Sequence, residues 1–210
     1  MIRLLIADDH ALFREGLKRI FAEYDDLVVA GEASNGMEVL SQVCENDYDV
    51  VLLDISMPGR SGIDIIKQLK ALEPEIRVLV LSMYSEEQYA FRALKAGASG
   101  YLTKNGASRD LINAIRKVST GGKFISAAVA EQIAFDLEKG ADEPPHKGLS
   151  DREFQVLCMI ASGKTVKEIA DELSLSVKTI STYRTRILEK MHMKNNAEIT
   201  CYAIRNGLVV

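Results

Sequence analysis

The sequence predicts an α/β fold, a doubly wound five-stranded parallel sheet, followed by a second, smaller all-helical domain. Two observations predict this arrangement. Short apolar runs alternate with amphipathic segments in the first part of the chain, which is typical of a parallel sheet with helices on both faces. Near the end, helical segments are separated by a short turn, as in a helix-turn-helix. A chain of 210 residues is long enough for two cores.

The elements of the first domain follow in order along the chain. Strands are predicted near Ile2–Ala7, Val28–Ala33, Asp49–Asp54, Arg77–Leu81 and Ser99–Leu102. Helices are predicted near Ala11–Tyr24, Gly36–Glu45, Gly62–Leu72, Glu86–Ala96 and Arg109–Thr120. Three serines, Ser61, Ser85 and Ser108, precede helices and are predicted N-caps, and Ser85 with Gln88 forms a predicted capping box.

Polar side chains follow four of these strands. Asp8 and Asp9 follow the first strand, Asp54 ends the third, and Ser82 and Lys104 follow the fourth and fifth. The carboxyl ends of parallel strands meet at one edge, where three carboxylates would repel one another without a cation. Oxygen ligands without sulfur suit Mg²⁺, while a lysine and a serine suit a phosphoryl group. The pattern indicates phosphoryl transfer with Asp54 as the nucleophile.

In identity, order and spacing, this set together with Tyr101 resembles the receiver domain of two-component response regulators, over roughly the first 125 residues. The resemblance implies the strand order 2-1-3-4-5. It also implies that a sensor histidine kinase phosphorylates Asp54. It further implies that Asp8, Asp9, Asp54 and the Ser56 backbone carbonyl bind Mg²⁺, and that Ser82, Tyr101 and Lys104 form the phosphoryl-binding and switch group. Tyr101 could also be an ordinary strand tyrosine.

Composition excludes several other classes of protein. No apolar stretch reaches the roughly 18 residues that a membrane span needs, and the chain starts with a strand, so we expect a cytoplasmic protein. Three scattered cysteines and three dispersed histidines indicate neither a disulfide framework nor a zinc site. The formal net charge is −4, but Ser150–Val210 contains nine basic and seven acidic residues. This stretch therefore favours a polyanionic partner.

The second domain is predicted to follow a linker. We expect a receiver domain at residues 1–122, a linker with a helix near Ser126–Lys139 at residues 123–148, and a DNA-binding domain at residues 149–210. Ser150 and Glu153 form a capping box, with Leu149 and Phe154 as a hydrophobic staple. Helices at Thr165–Leu173 and Val177–Met191 flank a turn, and Asn195 with Glu198 caps a last helix.

The helix at Val177–Met191 has two faces. The apolar side is predicted to comprise Val177, Ile180, Ile187, Leu188 and Met191. Arg184 lies toward this side and is predicted to be structural, with Glu153 as its partner. The polar and flanking residues suit a helix in the major groove, because hydroxyls reach base edges and basic groups reach phosphates. The predicted DNA contacts are Lys178, Thr179, Ser181, Thr182, Tyr183, Thr185 and Arg186.

Residues 149–207 also resemble a family, the LuxR-type helix-turn-helix of NarL/FixJ-class regulators, and most of all its GacA/UvrY-like subgroup. The resemblance rests on Leu-Ser-x-Arg-Glu, Lys-Glu-Ile-Ala, Lys-Thr-Ile and Leu-Glu-Lys-Met. It implies a phosphorylation-activated transcription regulator that is not an enzyme beyond assisting its own phosphorylation and dephosphorylation. Expected partners are the kinase, double-stranded DNA and a second copy in a phosphorylated homodimer, with RNA polymerase as a further candidate and no membrane.

Two other functions are open at this level. A protein-binding phospho-switch adaptor without DNA output would need no basic, hydroxyl-rich helix face, and salt-dependent DNA binding distinguishes it. A metal-dependent phosphohydrolase could also use Asp54, but Ser56 stands where haloacid-dehalogenase-type enzymes need an acid. In the regulator, Ser82 is expected to move toward the new charge and Tyr101 to turn inward. These changes would reshape the surface around Glu86–Lys117, which would favour dimerisation or release of the DNA-binding helix.

Overall fold

The computed structural model describes residues 1–59, 61–84, 86–105, 108–127, 129–131 and 144–209. The chain divides into two compact units, Met1–Val129 and Ala130–Val210. The predicted helix at Ser126–Lys139 lies largely outside the described residues, although residues 127 and 129–131 are helical. Within the described part of the chain, no helix combines the length and apolarity needed to cross a membrane.

The first unit contains the predicted parallel sheet. Its strands are β1 (Ile2–Ala7), β2 (Leu27–Ala33), β3 (Val50–Leu53), β4 (Arg77–Ser82) and β5 (Gly100–Thr103). Their order is β2-β1-β3-β4-β5, and all neighbouring pairs are parallel, which confirms the predicted fold class and order. Because helices cover both faces, the central strands are continuous buried apolar runs.

The helices of the first unit alternate with the strands. They are α1 (Ala11–Phe21), α2 (Gly36–Glu45), α3 (Gly62–Leu72), α4 (Glu86–Lys95) and α5 (Ser108–Ser119). The apolar stripe of α5, including Ile112 and Ile115, packs with Leu4, Leu52 and Leu79 of the sheet in one core. At the start of α3, Gly62 is required because a Cβ there would lie 2.3 Å from the Cα of Ile55.

Two predicted N-caps of this unit differ in the structure. Ser61 occupies the cap position of α3, but its side chain makes no capping hydrogen bond. Ser108 is the first residue of α5 rather than its cap, since the helix begins one residue earlier than predicted. Ser85 lies outside the described residues, so its capping box stays a prediction. A serine pattern identifies the neighbourhood of a helix start, but not the turn that the side chain adopts.

The segment after α5 pairs with the sheet edge, which the sequence pattern did not indicate. The Tyr101 N–H donates to the Phe124 carbonyl at 3.2 Å, and the Phe124 N–H donates to the Ser99 carbonyl at 3.0 Å. These bonds cover the open side of β5, where unpaired backbone groups would otherwise face outward. The compact first unit therefore continues beyond Gly121-Gly122.

The second unit is helical, as predicted. A 3₁₀ turn at Pro145–Gly148 precedes α6 (Asp151–Ala161), α7 (Val166–Glu172), α8 (Val177–Lys190) and α9 (Asn196–Arg205). The capping box of Ser150 and Glu153 is confirmed, as is the cap of α9 by Asn195. Leu149 and Phe154, the predicted staple, are both buried. The 3₁₀ turn is held to α9 by His146, whose Nδ1 lies 2.8 Å from Tyr202 Oη.

Glu153 joins two helices of the second unit. Its carboxylate accepts from the Ser150 N–H at 2.8 Å and from Lys190 Nζ of α8 at 2.6 Å. The predicted pairing of Glu153 with Arg184 was wrong, because Arg184 Nε donates instead to Asn196 Oδ1 of α9 at 2.6 Å. Burial alone would raise the pKa of Glu153, but the bonds from Lys190 and Ser150 outweigh it and lower this pKa.

We expect Glu153→Ala to destabilise the second unit by about 2 kcal/mol, because it removes a capping box and the partly exposed ion pair between buried Glu153 and Lys190. Thermal unfolding followed by circular dichroism measures this loss, with Glu189→Ala, at an exposed position of α8, as the matched control. The pKa of Glu153 is lowered because the fold stabilises its charged form. The difference in stability between wild type and Glu153→Ala should therefore shrink as the pH falls through the pKa of Glu153. Equal melting temperatures for both variants would contradict the expectation.

Candidate functional site

Three of the five strand-end groups predicted to converge, Asp8, Asp54 and Lys104, are in direct contact at the carboxyl edge of the sheet. Lys104 Nζ lies 2.6 Å from Asp8 Oδ2 and 2.5 Å from Asp54 Oδ2. The three side chains are nearly inaccessible, and that of Lys104 is only 5% exposed. The strand register places Asp8 and Asp54 side by side, because Ala7 pairs with Leu53 and an aspartate directly follows each of them.

Electrostatics explains how these charges coexist away from water. Burial raises the pKa of Asp54, and the ammonium of Lys104 counteracts that shift. Burial also disfavours the charged form of Lys104, but the carboxylates of Asp54 and Asp8 outweigh it and raise the pKa of Lys104. The Ser56 N–H donates to Asp54 Oδ1 at 2.7 Å, which further stabilises the carboxylate. The group therefore depends on mutual charge compensation.

The same edge fits a hard divalent cation. One ligand atom from each of Asp8, Asp9, His10 and Asp54 lies within 4.8 Å of the others. The three carboxylates suit Mg²⁺, which prefers oxygen ligands. The His10 ring contacts two of these carboxylates, with Nδ1 3.2 Å from Asp8 Oδ1 and 3.0 Å from Asp9 Oδ1. The Ser56 Oγ atom beside them is buried, without a hydrogen-bond partner among the described residues. These donors fit the ion that the sequence pattern predicts.

Ser82 and Tyr101 lie next to this group. The Lys104 N–H donates to the Ser82 carbonyl at 2.8 Å, so the end of β4 and the loop after β5 are directly joined. Ser82 Oγ accepts from the Tyr84 N–H at 3.1 Å, and Tyr101 Oη donates to the Tyr84 carbonyl at 3.0 Å. Tyr101 is 1% exposed, and burial raises its pKa. The expected inward turn of Tyr101 is thus already the conformation of this structure.

Arg14 is a residue of this site that the sequence pattern missed. Its Nη1 donates to the Asp8 carbonyl at 2.6 Å, and its Nε donates to Glu32 Oε2 at 3.0 Å. Glu32 of β2 also accepts from Lys18 at 2.7 Å. Arg14 therefore holds the backbone of the acidic loop to β2. An arginine on a predicted helix offers no signal for this contact, because its reach depends on the tertiary fold.

The outward face of α8 matches most of the sequence prediction. Lys178, Ser181, Thr182, Thr185 and Arg186 are exposed, and Thr179 and Tyr183 are half-buried. On the opposite side, Ile180, Ile187 and Met191 are buried and Leu188 is half-buried. Val177 was predicted on the buried side, but it is 51% exposed. The first residue of α8 precedes the stretch that packs on the other helices, which leaves its side chain outside the core.

Known proteins share both units. The family model for the response regulator receiver domain matches residues 4–116, and the model for bacterial regulatory proteins of the luxR family matches residues 147–203. The response regulator GacA of Pseudomonas protegens is 40% identical over 209 residues, covering 100% of this chain and 98% of that protein. The response regulator UvrY of Escherichia coli is 37% identical, with 99% and 96% covered.

Solved structures agree with these relatives. RcsB from Salmonella enterica serovar Typhimurium, bound to the promoter rprA with the phosphomimetic BeF₃⁻, has a TM-score of 0.66 at 28% identity. The match covers 96% of this chain and 98% of that chain. A sheet with a buried acidic edge, followed by a helix-turn-helix, defines a receiver joined to a DNA-binding domain. The chain belongs to the response regulators of the NarL/FixJ class and is a DNA-binding transcription regulator of a two-component system.

We expect Arg14→Ala to weaken Mg²⁺ binding by about tenfold, because the backbone of the acidic loop loses its anchor to β2 and the ligands must be ordered on binding. Titration calorimetry with Mg²⁺ measures the affinity, and amide hydrogen exchange at residues 8–10 reports the loop in the absence of the ion. Lys18→Ala is the matched control, since it removes the other cation on Glu32 without contacting the Asp8 backbone. Equal losses in both variants would show that charge, rather than loop anchoring, matters.

Proposed function

We propose that Asp54 is the phosphoryl acceptor of this regulator and that a sensor histidine kinase supplies the phosphoryl group. The observation that supports this role is the burial of Asp54 between the Lys104 ammonium and the Ser56 N–H at the carboxyl edge of the sheet. One carboxylate oxygen is thereby held by each donor. In its charged form this carboxylate attacks phosphorus as a nucleophile, forms an acyl phosphate and displaces the donor's leaving group.

Asp8, Asp9 and Asp54, with the backbone carbonyl of Ser56, are proposed to hold Mg²⁺. When bound, the ion supplies positive charge that offsets the charge on the phosphoryl oxygens. The short contacts of Lys104 with Asp8 and Asp54 support this arrangement, because they mark a site that already requires a cation. Lys104 is proposed to bind a phosphoryl oxygen, and its long, flexible side chain suits that move.

Ser82 and Tyr101 are proposed to transmit the effect of phosphorylation from Asp54 to the surface of the unit. Ser82 would donate its hydroxyl hydrogen to a phosphoryl oxygen, and its hydroxyl currently accepts from the Tyr84 N–H. Tyr101 contacts the same loop through the Tyr84 carbonyl. A shift of Ser82 therefore changes the hydrogen bonds of residues that lead into α4. We propose that this surface, around Glu86–Lys117, then favours a homodimer or frees α8.

The output is proposed to be double-stranded DNA bound by α8 in the major groove. The predicted contacts are those exposed or half-buried on its outer side: Lys178, Thr179, Ser181, Thr182, Tyr183, Thr185 and Arg186. RcsB, a relative in structure at 30% identity, has been solved as a complex with DNA, and two RcsB dimers have been solved on two parallel DNAs. Binding as a dimer would place two helices on successive half-sites, and RNA polymerase is a further proposed partner.

We expect Asp54→Asn to abolish phosphorylation, because an amide lacks the charged oxygen that attacks phosphorus. Intact-mass spectrometry after incubation with Mg²⁺ and an acyl phosphate, or with a phosphorylated histidine kinase, detects the added phosphoryl group. Asp64→Asn, at a half-exposed aspartate of α3, is the matched control and should be phosphorylated as wild type. Full phosphorylation of the Asp54 variant would refute the acceptor role.

Two variants test which basic residues of α8 bind DNA and which hold the helix to the rest of the unit. We expect Lys178→Ala to weaken DNA binding and to lower the slope of log affinity against log salt by about one, because one phosphate contact is lost. Arg184→Ala should instead lower the melting temperature, since Arg184 binds Asn196 of α9. Fluorescence anisotropy over a salt series and thermal unfolding measure the two effects. An Arg184 variant with normal stability and weakened DNA binding would reverse that assignment.

A further inference from the structure

Val177 is an apolar residue at the start of α8 that the core leaves outside. It is 51% exposed, whereas Ile180 and Ile187 of the same helix are completely buried. A single exposed valine is ordinary by itself. Its place matters, however, because a helix-turn-helix contacts base edges with the N-terminal residues of its second helix. Val177 is the first residue of that helix, beside exposed Lys178.

Three hydroxyl groups on the same face already donate their hydrogens to the helix backbone. The donors Ser181, Thr182 and Thr185 bond to carbonyls one turn earlier, those of Val177, Lys178 and Ser181, at 2.9, 3.0 and 3.1 Å. A hydroxyl has one hydrogen to donate but two lone pairs to accept with. What these residues still offer to a partner is acceptor oxygens and, in the two threonines, methyl groups. The hydroxyl hydrogens of these three residues are therefore engaged by the helix itself.

Base edges in the major groove differ in what they offer to such a face. Adenine presents an N6 amino donor and thymine a C5 methyl group, while guanine presents only acceptors. Acceptor oxygens can accept from adenine N6 or from cytosine N4, so the thymine methyl group is the feature that an apolar residue distinguishes. Guanine requires a donor, which on this face comes from Lys178, Arg186 and the Tyr183 hydroxyl. The exposed chemistry of α8 thus favours thymine methyl groups as its apolar target.

We infer that α8 recognises thymine methyl groups in the major groove, with Val177 as the apolar contact and the threonine hydroxyls beside it as acceptors. This inference rests on the proposed binding of DNA by α8 and adds what that helix reads. It makes Val177 a specificity-determining residue. Lys178, on the same turn, keeps its proposed role as a contact to a DNA phosphate.

The test removes methyl groups from both sides of the contact: one from thymine and two from Val177. Duplexes that bind the full-length protein are selected from a random pool, and each thymine is then replaced singly by deoxyuridine. Fluorescence anisotropy gives Kd for wild type, Val177→Ala and Val177→Ile. We expect deoxyuridine to weaken wild-type binding about fourfold at one or more thymines, the effect of one buried methyl group. Val177→Ile should keep this penalty, and Val177→Ala should bind more weakly and lose it.

Leu72→Ala is the matched control, because Leu72 is a similarly exposed apolar residue, 53% accessible, in the first unit. It should keep both the wild-type affinity and the deoxyuridine penalty. Wild-type binding that is insensitive to deoxyuridine at every thymine would overturn the inference, as would a penalty that persists in Val177→Ala. Both results leave DNA binding intact. Failure to select any duplex with salt-dependent binding would instead overturn the proposed role of α8.

Discussion

The first unit depends on one interaction, the ion pairs of Lys104 with Asp8 and Asp54. Two carboxylates and one ammonium lie out of water at the edge of the sheet, where each charge alone would be strongly disfavoured. Each is tolerated because the others are present. A group so balanced responds strongly to any added charge, since a new anion or cation changes the partner of every member. This property makes the edge suitable for a switch.

The surrounding contacts connect that group to the rest of the unit. Arg14 ties the Asp8 backbone to Glu32 on one side, and the backbone bond from Lys104 to Ser82 ties the loop after β5 to β4 on the other. Tyr101 and Ser82 both reach Tyr84, one through its carbonyl and the other through its N–H. The acidic edge is therefore in direct hydrogen-bond continuity with the loop before α4, and a rearrangement at Lys104 has a short physical route outward.

In the second unit, α8 must be held firmly on one side while the other stays available. Two of its basic residues serve the first purpose: Lys190 binds Glu153 of α6, and Arg184 binds Asn196 of α9. Of the five basic residues between Ser176 and Lys194, namely Lys178, Arg184, Arg186, Lys190 and Lys194, two therefore hold α8 in place and fewer are available to DNA than the sequence suggests. Lys178 and Arg186 are exposed on the outer face, together with hydroxyls whose hydrogens bond to the helix backbone.

The sequence by itself determined where the strands and most helices lie and which residues end β1, β3, β4 and β5, because apolar periodicity and strand-end position are local properties. The strand order came from the resemblance to receiver domains. Tertiary structure alone decided the anchoring of Asp8 by Arg14, the pairing of Phe124 with β5, the choice of Lys190 as partner of Glu153, and the exposure of Val177. Long side chains have many partners within reach, and only the packing of distant elements selects one of them.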